Sequence, residues 1–386
     1  MAPRVVILGG GQSGAQSALL LKKVGGGSLD VTLVERGPRI VYKPLLTWLA
    51  VGKADTSEVV ANLDRSSHSN LRLVLGNVES IDVKNKVVRV SGKKLEYDYL
   101  IIALGAEPDE GAVKGLAAHN TTAWTLNGAE RLRETLRSAN GGTVIVGAIS
   151  PPFPCPPAPF ELAGLVKNLR PGNGSFNVKA VTFEEKPLMG LGSEVSDSLV
   201  DLLDRTGVEL VAGFKVREVD AENRRVVGED GRALGYDILS LVPPFKPPRP
   251  VAGLEIAGPG GWLVTDPYRG FRTRLGDVYA IGDVALPPFG APMSGFLGAH
   301  MAKMAARKIL EEAAGITVEV KERAYAECFV DHGEDGIGIY CDFTEVIYGG
   351  GKPHCHVFAH GTLVGEYKAA LARNWRRTIK NLIGLT

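Results

Sequence analysis

The apolar positions of the chain fall into short continuous runs separated by longer stretches of mixed polarity. Residues 5–8, 31–34 and 144–146 are aliphatic runs of strand length, and residues 15–24 follow the first of them with the composition of a helix. Continuous apolar runs are typical of parallel strands that are covered on both faces, and helices between the strands supply that cover. The pattern therefore predicts an α/β fold.

A glycine-rich turn connects the first strand to the first helix. Gly9, Gly11 and Gly14 match the spacing G-x-G-x-x-G, and Glu35 ends the second strand at the distance expected for the acid of this motif. In such a unit the first glycine forms the tight turn, the second lets the backbone approach a pyrophosphate, and the third allows close packing of helix on strand. Glu35 is placed to accept the ribose hydroxyls of an adenosine. The unit predicts a Rossmann-like dinucleotide-binding domain.

Two later segments favour FAD over NAD as the dinucleotide. Residues 97–106 form a strand that ends in small residues, including Gly105, where the backbone can approach a flavin nucleotide. Residues 277–283 form another strand, which closes with Gly282 and Asp283. The Asp283 carboxylate can accept a hydrogen bond from a ribityl hydroxyl, and the following helix can direct its positive end at the isoalloxazine. We therefore predict that FAD is the cofactor.

A second Rossmann-like unit begins at residue 143 and departs from the glycine rule. Its strand ends at Gly147, and the next loop surrounds Cys155 with five prolines, at positions 151, 152, 154, 156 and 157. Proline has no N–H to donate to a phosphate, and its φ is fixed. The loop is therefore poorly suited to NADH and presents a thiol on a rigid segment. We predict that electrons enter at sulfur and not from a nicotinamide.

The order of these units predicts the domain organisation. Residues 1–110 are predicted to be the first part of the FAD-binding domain, and residues 111–250 the second Rossmann-like domain, which bears the redox cysteine. The proline-rich stretch at 242–250 indicates a linker back into the first domain. Residues 251–315 are then its second part, so that the first domain is discontinuous. Residues 316–386 are predicted to be a small C-terminal α+β region with an amphipathic helix.

Composition excludes several classes of function. A net charge of +1 makes no general case for nucleic-acid binding. The chain has no run of about 18 apolar residues, so no transmembrane helix is predicted. A strand is predicted almost at the start of the sequence, so no signal peptide is expected. Four cysteines in 386 residues do not make a disulfide scaffold. The oligomeric state is not indicated, and a homo-oligomer stays open.

The arrangement resembles the FAD-dependent pyridine nucleotide-disulfide oxidoreductases. Within them it looks most like the branch of sulfide:quinone oxidoreductases, the flavoprotein subunit of flavocytochrome c sulfide dehydrogenase, and type II NADH dehydrogenases. Sulfide-oxidising members carry a cysteine before a proline-rich segment that ends in Phe-Glu, matched here by Cys155 and residues 159–161. They carry a second cysteine in a strand near the start of the C-terminal domain, matched by Cys328. A Pro-Pro-Phe-Lys segment at 243–246 also matches.

This resemblance implies an FAD enzyme that oxidises sulfide to polysulfide or sulfur. Hydrosulfide would attack a Cys155–Cys328 disulfide, leaving a persulfide on one cysteine and a thiolate on the other. The electron pair would pass to FAD and then to a membrane quinone. Glu161 is a candidate proton carrier, with a first-turn acid of the following helix as the alternative. For Cys155 the alternative role is that of a small buried hydrophobe, and the role of Cys328 depends on the family match.

The chain departs from the family pattern at two positions that bear on the acceptor. Met293 stands where the family has the lysine of Pro-Lys-Ser/Thr-Gly, although the closing Gly295 is kept as a cofactor-binding residue. Residues 121–125 lack the third cysteine of many sulfide:quinone oxidoreductases. A cytochrome acceptor therefore stays open. So do NADH:quinone oxidoreduction, which the proline loop disfavours, and a non-catalytic redox sensor.

The last segment, residues 367–386, predicts a basic amphipathic helix. Leu371, Trp375 and Ile379 fall close to one helical face, and the segment contains no acid. Together with the family's C-terminal helices, this pattern predicts peripheral, monotopic contact with a membrane surface. The alternative is a helix whose apolar face packs on the protein's own core.

Two further cysteines have no assigned role in this scheme. Cys341 is open as an alternative partner for Cys155. Cys355 lies between His354 and His356, but the surrounding spacings do not build a zinc site, so no metal is predicted.

Overall fold

The computed structural model describes residues 1–63, 71–170, 174–319 and 323–383. Its strands are β1 (Arg4–Leu8), β2 (Asp30–Glu35), β3 (Arg39–Val41), β4 (Val60–Asn62), β5 (Leu71–Leu75), β6 (Val78–Asp82), β7 (Val87–Val90), β8 (Lys93–Glu96), β9 (Tyr99–Ile102), β10 (Glu107–Pro108), β11 (Gly142–Ala148), β12 (Phe176–Thr182), β13 (Glu209–Val211), β14 (Val216–Asp220), β15 (Arg225–Gly228), β16 (Ala233–Gly235), β17 (Ile238–Val242), β18 (Phe245–Lys246), β19 (Val278–Ala280), β20 (Tyr325–Asp331), β21 (Gly336–Asp342) and β22 (His354–His360). Its α-helices are α1 (Gln12–Gly25), α2 (Leu46–Val51), α3 (Thr56–Val59), α4 (Leu116–His119), α5 (Leu126–Ser138), α6 (Ala158–Lys167), α7 (Ser193–Arg205), α8 (Gly295–Ala314), α9 (Thr344–Tyr348) and α10 (Leu363–Ile383).

The first parallel sheet has the strand order β19-β9-β1-β2-β5. Its central strands are buried on both faces, and Val5, Ile7 and Leu100 are fully inaccessible to solvent. This burial explains why these strands are continuous apolar runs in the sequence. Strand β19 joins the sheet beside β9 although about half the chain separates them, so the first domain is discontinuous as predicted.

The second parallel sheet has the order β13-β12-β11-β17. A side chain at Gly147, near the end of β11, would lie 2.1 Å from the Val181 carbonyl oxygen, so only glycine lets the two strands approach here. The chain leaves this sheet through β18, which pairs antiparallel with β10. The predicted α/β class with two Rossmann-like units is confirmed. The domain limits at residues 110, 250 and 315 stay predictions.

The C-terminal region is an antiparallel sheet, β20-β21-β22, followed by α10. The prediction that the apolar face of α10 contacts a membrane is wrong for Trp375 and Ile379. Trp375 and Ile379 are only 6% and 1% exposed, and the Trp375 ring stacks on Tyr42 at 4.8 Å. Helical periodicity predicts that one face is buried but not what buries it, and here the protein's own core does. Among the helices of the described ranges, none combines the length and apolar character needed to cross a bilayer.

Candidate active site

The glycine turn after β1 is closed on one side and open on the other. A Cβ at Gly9, whose φ is +98°, would lie 2.4 Å from the Ala103 carbonyl oxygen, and one at Gly14 would lie 1.9 Å from the Gly9 carbonyl oxygen. These two glycines are therefore required by backbone packing. Gly11 has no atom within 4 Å of its Cβ direction, so the start of α1 faces free space. Glu35 is held beside the turn, where its Oε2 accepts the Gly10 N–H at 2.5 Å.

Helix α8 begins next to α1, at the same edge of the first sheet. A Cβ at Gly298 would lie 2.3 Å from Ser13 Oγ, and one at Gly295 would lie 2.5 Å from Gln12 Oε1. A Cβ at Gly282, whose φ is +75°, would lie 2.8 Å from the same Ser13 hydroxyl. Small residues thus let the two helix N-termini converge on one cleft. Each N-terminus carries the positive end of a helix dipole.

The cleft has the donors and acceptors that FAD requires. The open side of Gly11 and the N-terminus of α1 suit a pyrophosphate, and Gly105, with φ +70° and no neighbour within 4 Å, leaves room for a nucleotide against its backbone. Burial raises the pKa of Asp283, and Lys43 acts in the opposite direction. Lys43 was not predicted as a residue of this cleft, because no sequence motif identifies it. These residues fit FAD, although their individual roles stay predictions.

The proline loop of the second unit is attached to both domains. Trp124 Nε1 donates to the Pro154 carbonyl oxygen at 2.9 Å, and the Phe245 N–H donates to that of Pro152 at 2.7 Å. The Cys155 N–H donates to the Met293 carbonyl oxygen at 3.0 Å, two residues before α8 begins. Met293, in place of the family lysine, is buried and holds the cysteine through its backbone. The loop thereby carries Cys155 to the α8 end of the cofactor cleft.

Cys155 and Cys328 are brought together although they lie on separate elements far apart in the sequence. Cys155 has the left-handed φ of +55°, which is rare for a residue with a side chain. The Cys328 thiol hydrogen-bonds to the Cys155 sulfur, and this contact lowers the pKa of Cys155 and raises that of Cys328. Both residues are thiols in this structure, so the predicted disulfide between them is not formed. The pair has the geometry of a reduced dithiol with one sulfur favoured as thiolate.

A buried ion pair lies beneath the two cysteines. Glu161, in the first turn of α6, accepts from Lys368 Nζ at 2.5 and 2.6 Å and from Thr47 Oγ1 at 3.0 Å. Desolvation raises the pKa of Glu161, although Lys368 acts to lower it. The negative charge of Glu161 raises the pKa of both thiols, while the Lys368 ammonium lowers it. Lys368 therefore belongs to the electrostatic surroundings of the sulfur pair.

Lys368 was not predicted as a site residue, since the segment 367–386 was interpreted only as a basic amphipathic helix. A signal was present in the spacing. Lys368, Ala372, Trp375 and Ile379 follow one another at the period of a single helical face. Since that face is buried, a lysine on it needs a buried carboxylate partner.

The two remaining cysteines form a disulfide. Cys341 on β21 is bonded to Cys355 on β22, across a pair of directly opposed residues. The alternative that Cys341 is the partner of Cys155 is therefore wrong. The Cys341–Cys355 bond could not be predicted from the sequence, because it depends on the register between β21 and β22.

The fold and the site together define a two-domain dinucleotide-binding oxidoreductase with a pair of adjacent thiols. Residues 3–308 match the pyridine nucleotide-disulphide oxidoreductase family, and the chain belongs to it, as predicted. The chain is 27% identical over 366 residues to the sulfide-quinone reductase of Aquifex aeolicus, covering 89% of this chain and 84% of the relative. It is 23% identical over 293 residues to the mitochondrial sulfide:quinone oxidoreductase of Mus musculus, covering 72% and 65%.

A solved structure shows the same fold. The X-ray structure of the sulfide:quinone oxidoreductase from Aquifex aeolicus superposes with a TM-score of 0.85 at 23% identity, covering 99% of this chain and 92% of that chain. The similarity therefore extends over both parallel sheets and the C-terminal region.

Proposed function

We propose that the protein is an FAD-dependent sulfide:quinone oxidoreductase that works through Cys155 and Cys328. The observation that carries this proposal is the contact of these two thiols at the α8 end of the FAD cleft. When bound there, FAD supplies a two-electron acceptor that can be reoxidised by a quinone. The names of the relatives from Aquifex aeolicus and Mus musculus support sulfide as donor and quinone as acceptor.

The residues of the site divide the sulfur chemistry between them. In the oxidised pair, hydrosulfide attacks one sulfur, the Cys155–Cys328 bond breaks, and the other cysteine leaves as a thiolate. Cys155 suits the thiolate state because its pKa is lowered by the Cys328 thiol. The Lys368 ammonium stabilises negative charge on either sulfur, and Glu161 beside it can hold the proton that hydrosulfide releases.

The helix that follows the proline loop also makes the second unit unsuited to NADH. Helix α6 opens with Glu161 in its first turn, whereas the first turn of α1 contains no acid. The buried Glu161–Lys368 ion pair occupies this end of α6, so its N-terminus is not open to a pyrophosphate as that of α1 is. Hydrogen bonds from Trp124 and Phe245 to the carbonyl oxygens of Pro154 and Pro152 anchor the loop to the protein, and its prolines have no N–H to offer a phosphate.

The proposal is tested by mixing the FAD-loaded protein with sulfide, and separately with NADH, in the absence of oxygen. We expect sulfide alone to bleach the oxidised-flavin absorption band. Cys155→Ala and Cys328→Ala should each slow this bleaching at least about a thousandfold, or ~4 kcal/mol in barrier height. Ser138→Ala, at an exposed position at the end of α5, is the control and leaves all four cysteines in place. Bleaching by NADH with indifference to sulfide would refute the proposal.

We further propose that the protein binds a membrane surface from which quinone is drawn, through an aromatic patch of Phe329, Phe358, Leu363 and Tyr367. Phe358, Leu363 and Tyr367 are 40%, 63% and 51% exposed. The rings of Phe329, Phe358 and Tyr367 lie within about 6 Å of one another. Exposed aromatic rings at the start of an amphipathic helix suit the headgroup boundary of a bilayer.

Sedimentation with vesicles of phosphatidylcholine and an anionic phospholipid tests this surface. The double variant Phe358→Ser/Tyr367→Ser should lose most of the bound fraction. Val264→Ser removes an exposed apolar side chain elsewhere and should leave binding unchanged. Equal binding by the two variants would rule the patch out.

A further inference from the structure

The two cysteine pairs share one face of the C-terminal sheet. Cys328 on β20 is directly opposite Ile339 on β21, and Cys341 lies two residues further along β21. Side chains two residues apart on a strand point to the same face. Cys341 is in turn directly opposite Cys355 on β22. The three sulfurs therefore occur in the order β20, β21, β22 on a single face.

The separation from Cys328 to Cys341 is short. Diagonal neighbours on adjacent antiparallel strands have Cα atoms about 7–8 Å apart and Cβ atoms somewhat closer. A disulfide spans up to about 6.8 Å between Cα atoms, so a local shift of about 1 Å brings the two into bonding range. Ala326 is directly opposite Cys341, and its methyl group leaves space beside Cys341 on the β20 side. Cys328 and Cys355 are separated by the whole of β21, about 10 Å.

The strand order also sets the direction of approach. Attack on a disulfide sulfur proceeds from the side opposite the leaving sulfur. Cys341 lies on the central strand, its bonded partner Cys355 is on one side, and Cys328 is on the other. Cys328 thus approaches the Cys341 sulfur from the β20 side, away from Cys355.

We propose that Cys341–Cys355 is a second redox-active disulfide, which oxidises the Cys155/Cys328 dithiol by exchange through Cys328. The Cys328 thiol gives its proton to the Cys155 thiolate, to which it is hydrogen-bonded, and attacks the Cys341 sulfur. The Cys341–Cys355 bond breaks, and Cys355 leaves as a thiolate and takes that proton from Cys155. The Cys155 thiolate then attacks the Cys328 sulfur, and Cys341 is released as a thiolate. One disulfide replaces another, and the proton of the first pair ends on the second.

This exchange would form the Cys155–Cys328 disulfide that sulfide attacks, without an external oxidant. It rests on the proposed redox role of Cys155 and Cys328. It adds a second place in the chain where an electron pair is stored. The exchange requires that Cys155 and Cys328 are reduced while Cys341 and Cys355 form a disulfide, and the structure has this combination.

Two matched double variants test the exchange without sulfide or a flavin signal. Cys155→Ser/Cys355→Ser keeps only Cys328 and Cys341, and Cys155→Ser/Cys341→Ser keeps only Cys328 and Cys355. After mild oxidation by oxidised glutathione, peptide mass spectrometry without reduction measures the crosslink. We expect the first variant to form its disulfide at least about tenfold faster, because Cα separations above about 7 Å cannot be bridged without backbone movement. Equal rates in two variants with native circular dichroism would overturn the proposal.

The single variant Cys155→Ser decides the matter if the double variants do not fold, because it keeps the native disulfide. Acid quenching and maleimide labelling should then find label on Cys355 and a Cys328–Cys341 linked peptide. Label on Cys328 alone would contradict the exchange. Neither readout depends on sulfide turnover, so a failure of the proposed function would be seen separately in the flavin bleaching experiment.

Discussion

The glycine turn after β1 and the proline loop after β11 occupy equivalent positions in two βαβ units, yet they present opposite surfaces. The glycine turn leaves the N-terminus of α1 open and free of acids, with no atom near the Cβ direction of Gly11. Hydrogen bonds from Trp124 and Phe245 hold the proline loop in place, and the buried Glu161 lies in the first turn of the helix α6 that follows it. The same scaffold therefore binds a dinucleotide in one unit and positions a thiol in the other. The loop decides the chemistry.

The glycine turn is expected to be the more sensitive of the two loops. Gly14→Val places a side chain on the Gly9 carbonyl oxygen, 1.9 Å from the ideal Cβ position, so neither backbone segment can move aside. We expect no folded flavoprotein, as judged by expression and bound FAD.

Two glycine variants separate packing from ligand binding at this turn. Gly11→Ala meets no protein atom and should fold, but bind FAD more weakly because its methyl group enters the pyrophosphate space. Gly27→Ala, also without neighbours but outside the turn, should match the unsubstituted protein in both respects. Normal FAD binding by Gly14→Val would show that the turn does not require glycine at position 14.

The ion pair behind the proline loop is expected to give the next largest effect. Lys368→Met leaves the Glu161 carboxylate buried without its partner, which should cost about 3–5 kcal/mol of unfolding free energy at about pH 8. The folded-state pKa of Glu161 is already raised by burial, and removing Lys368 raises it further. A raised carboxyl pKa stabilises the folded state only while the group is protonated, so this contribution is lost as the pH rises through the folded-state pKa.

The deficit of Lys368→Met should therefore shrink as the pH falls towards about 5, measured by denaturant unfolding. Glu161→Gln/Lys368→Met removes both charges and should show a smaller deficit with little dependence on pH. If the single variant lost the same unfolding free energy at both pH values, the ionisation of Glu161 would not depend on Lys368.

The smallest effect is expected at the attachment of the proline loop. Trp124→Phe removes the hydrogen bond from Nε1 to the Pro154 carbonyl oxygen and should lower the unfolding free energy by about 1 kcal/mol. Because Cys155 follows Pro154 directly, the sulfide KM should rise while FAD binding at the glycine turn stays unchanged. A change in FAD affinity would mean that the two loops are not independent.

Local conformational rules account for what the sequence alone determined. The G-x-G-x-x-G spacing of Gly9, Gly11 and Gly14, the lack of N–H donors around Cys155 and the apolar runs of the strands are all properties of adjacent residues. They were sufficient to predict the α/β class and FAD as the cofactor, while the family was predicted through the resemblance of motifs spread over the chain. The sequence could also pair Cys155 with Cys328, but only through the family resemblance.

Tertiary packing alone decided which distant side chains meet. The burial of Trp375 against Tyr42 and the pairing of Lys368 with Glu161 depend on how α10 packs against the two nucleotide-binding units. The Cys341–Cys355 bond depends on strand register, which a shift of one residue would destroy. Periodicity predicts which face of an element is buried, whereas the atoms opposite that face are supplied by chain segments far away in the sequence.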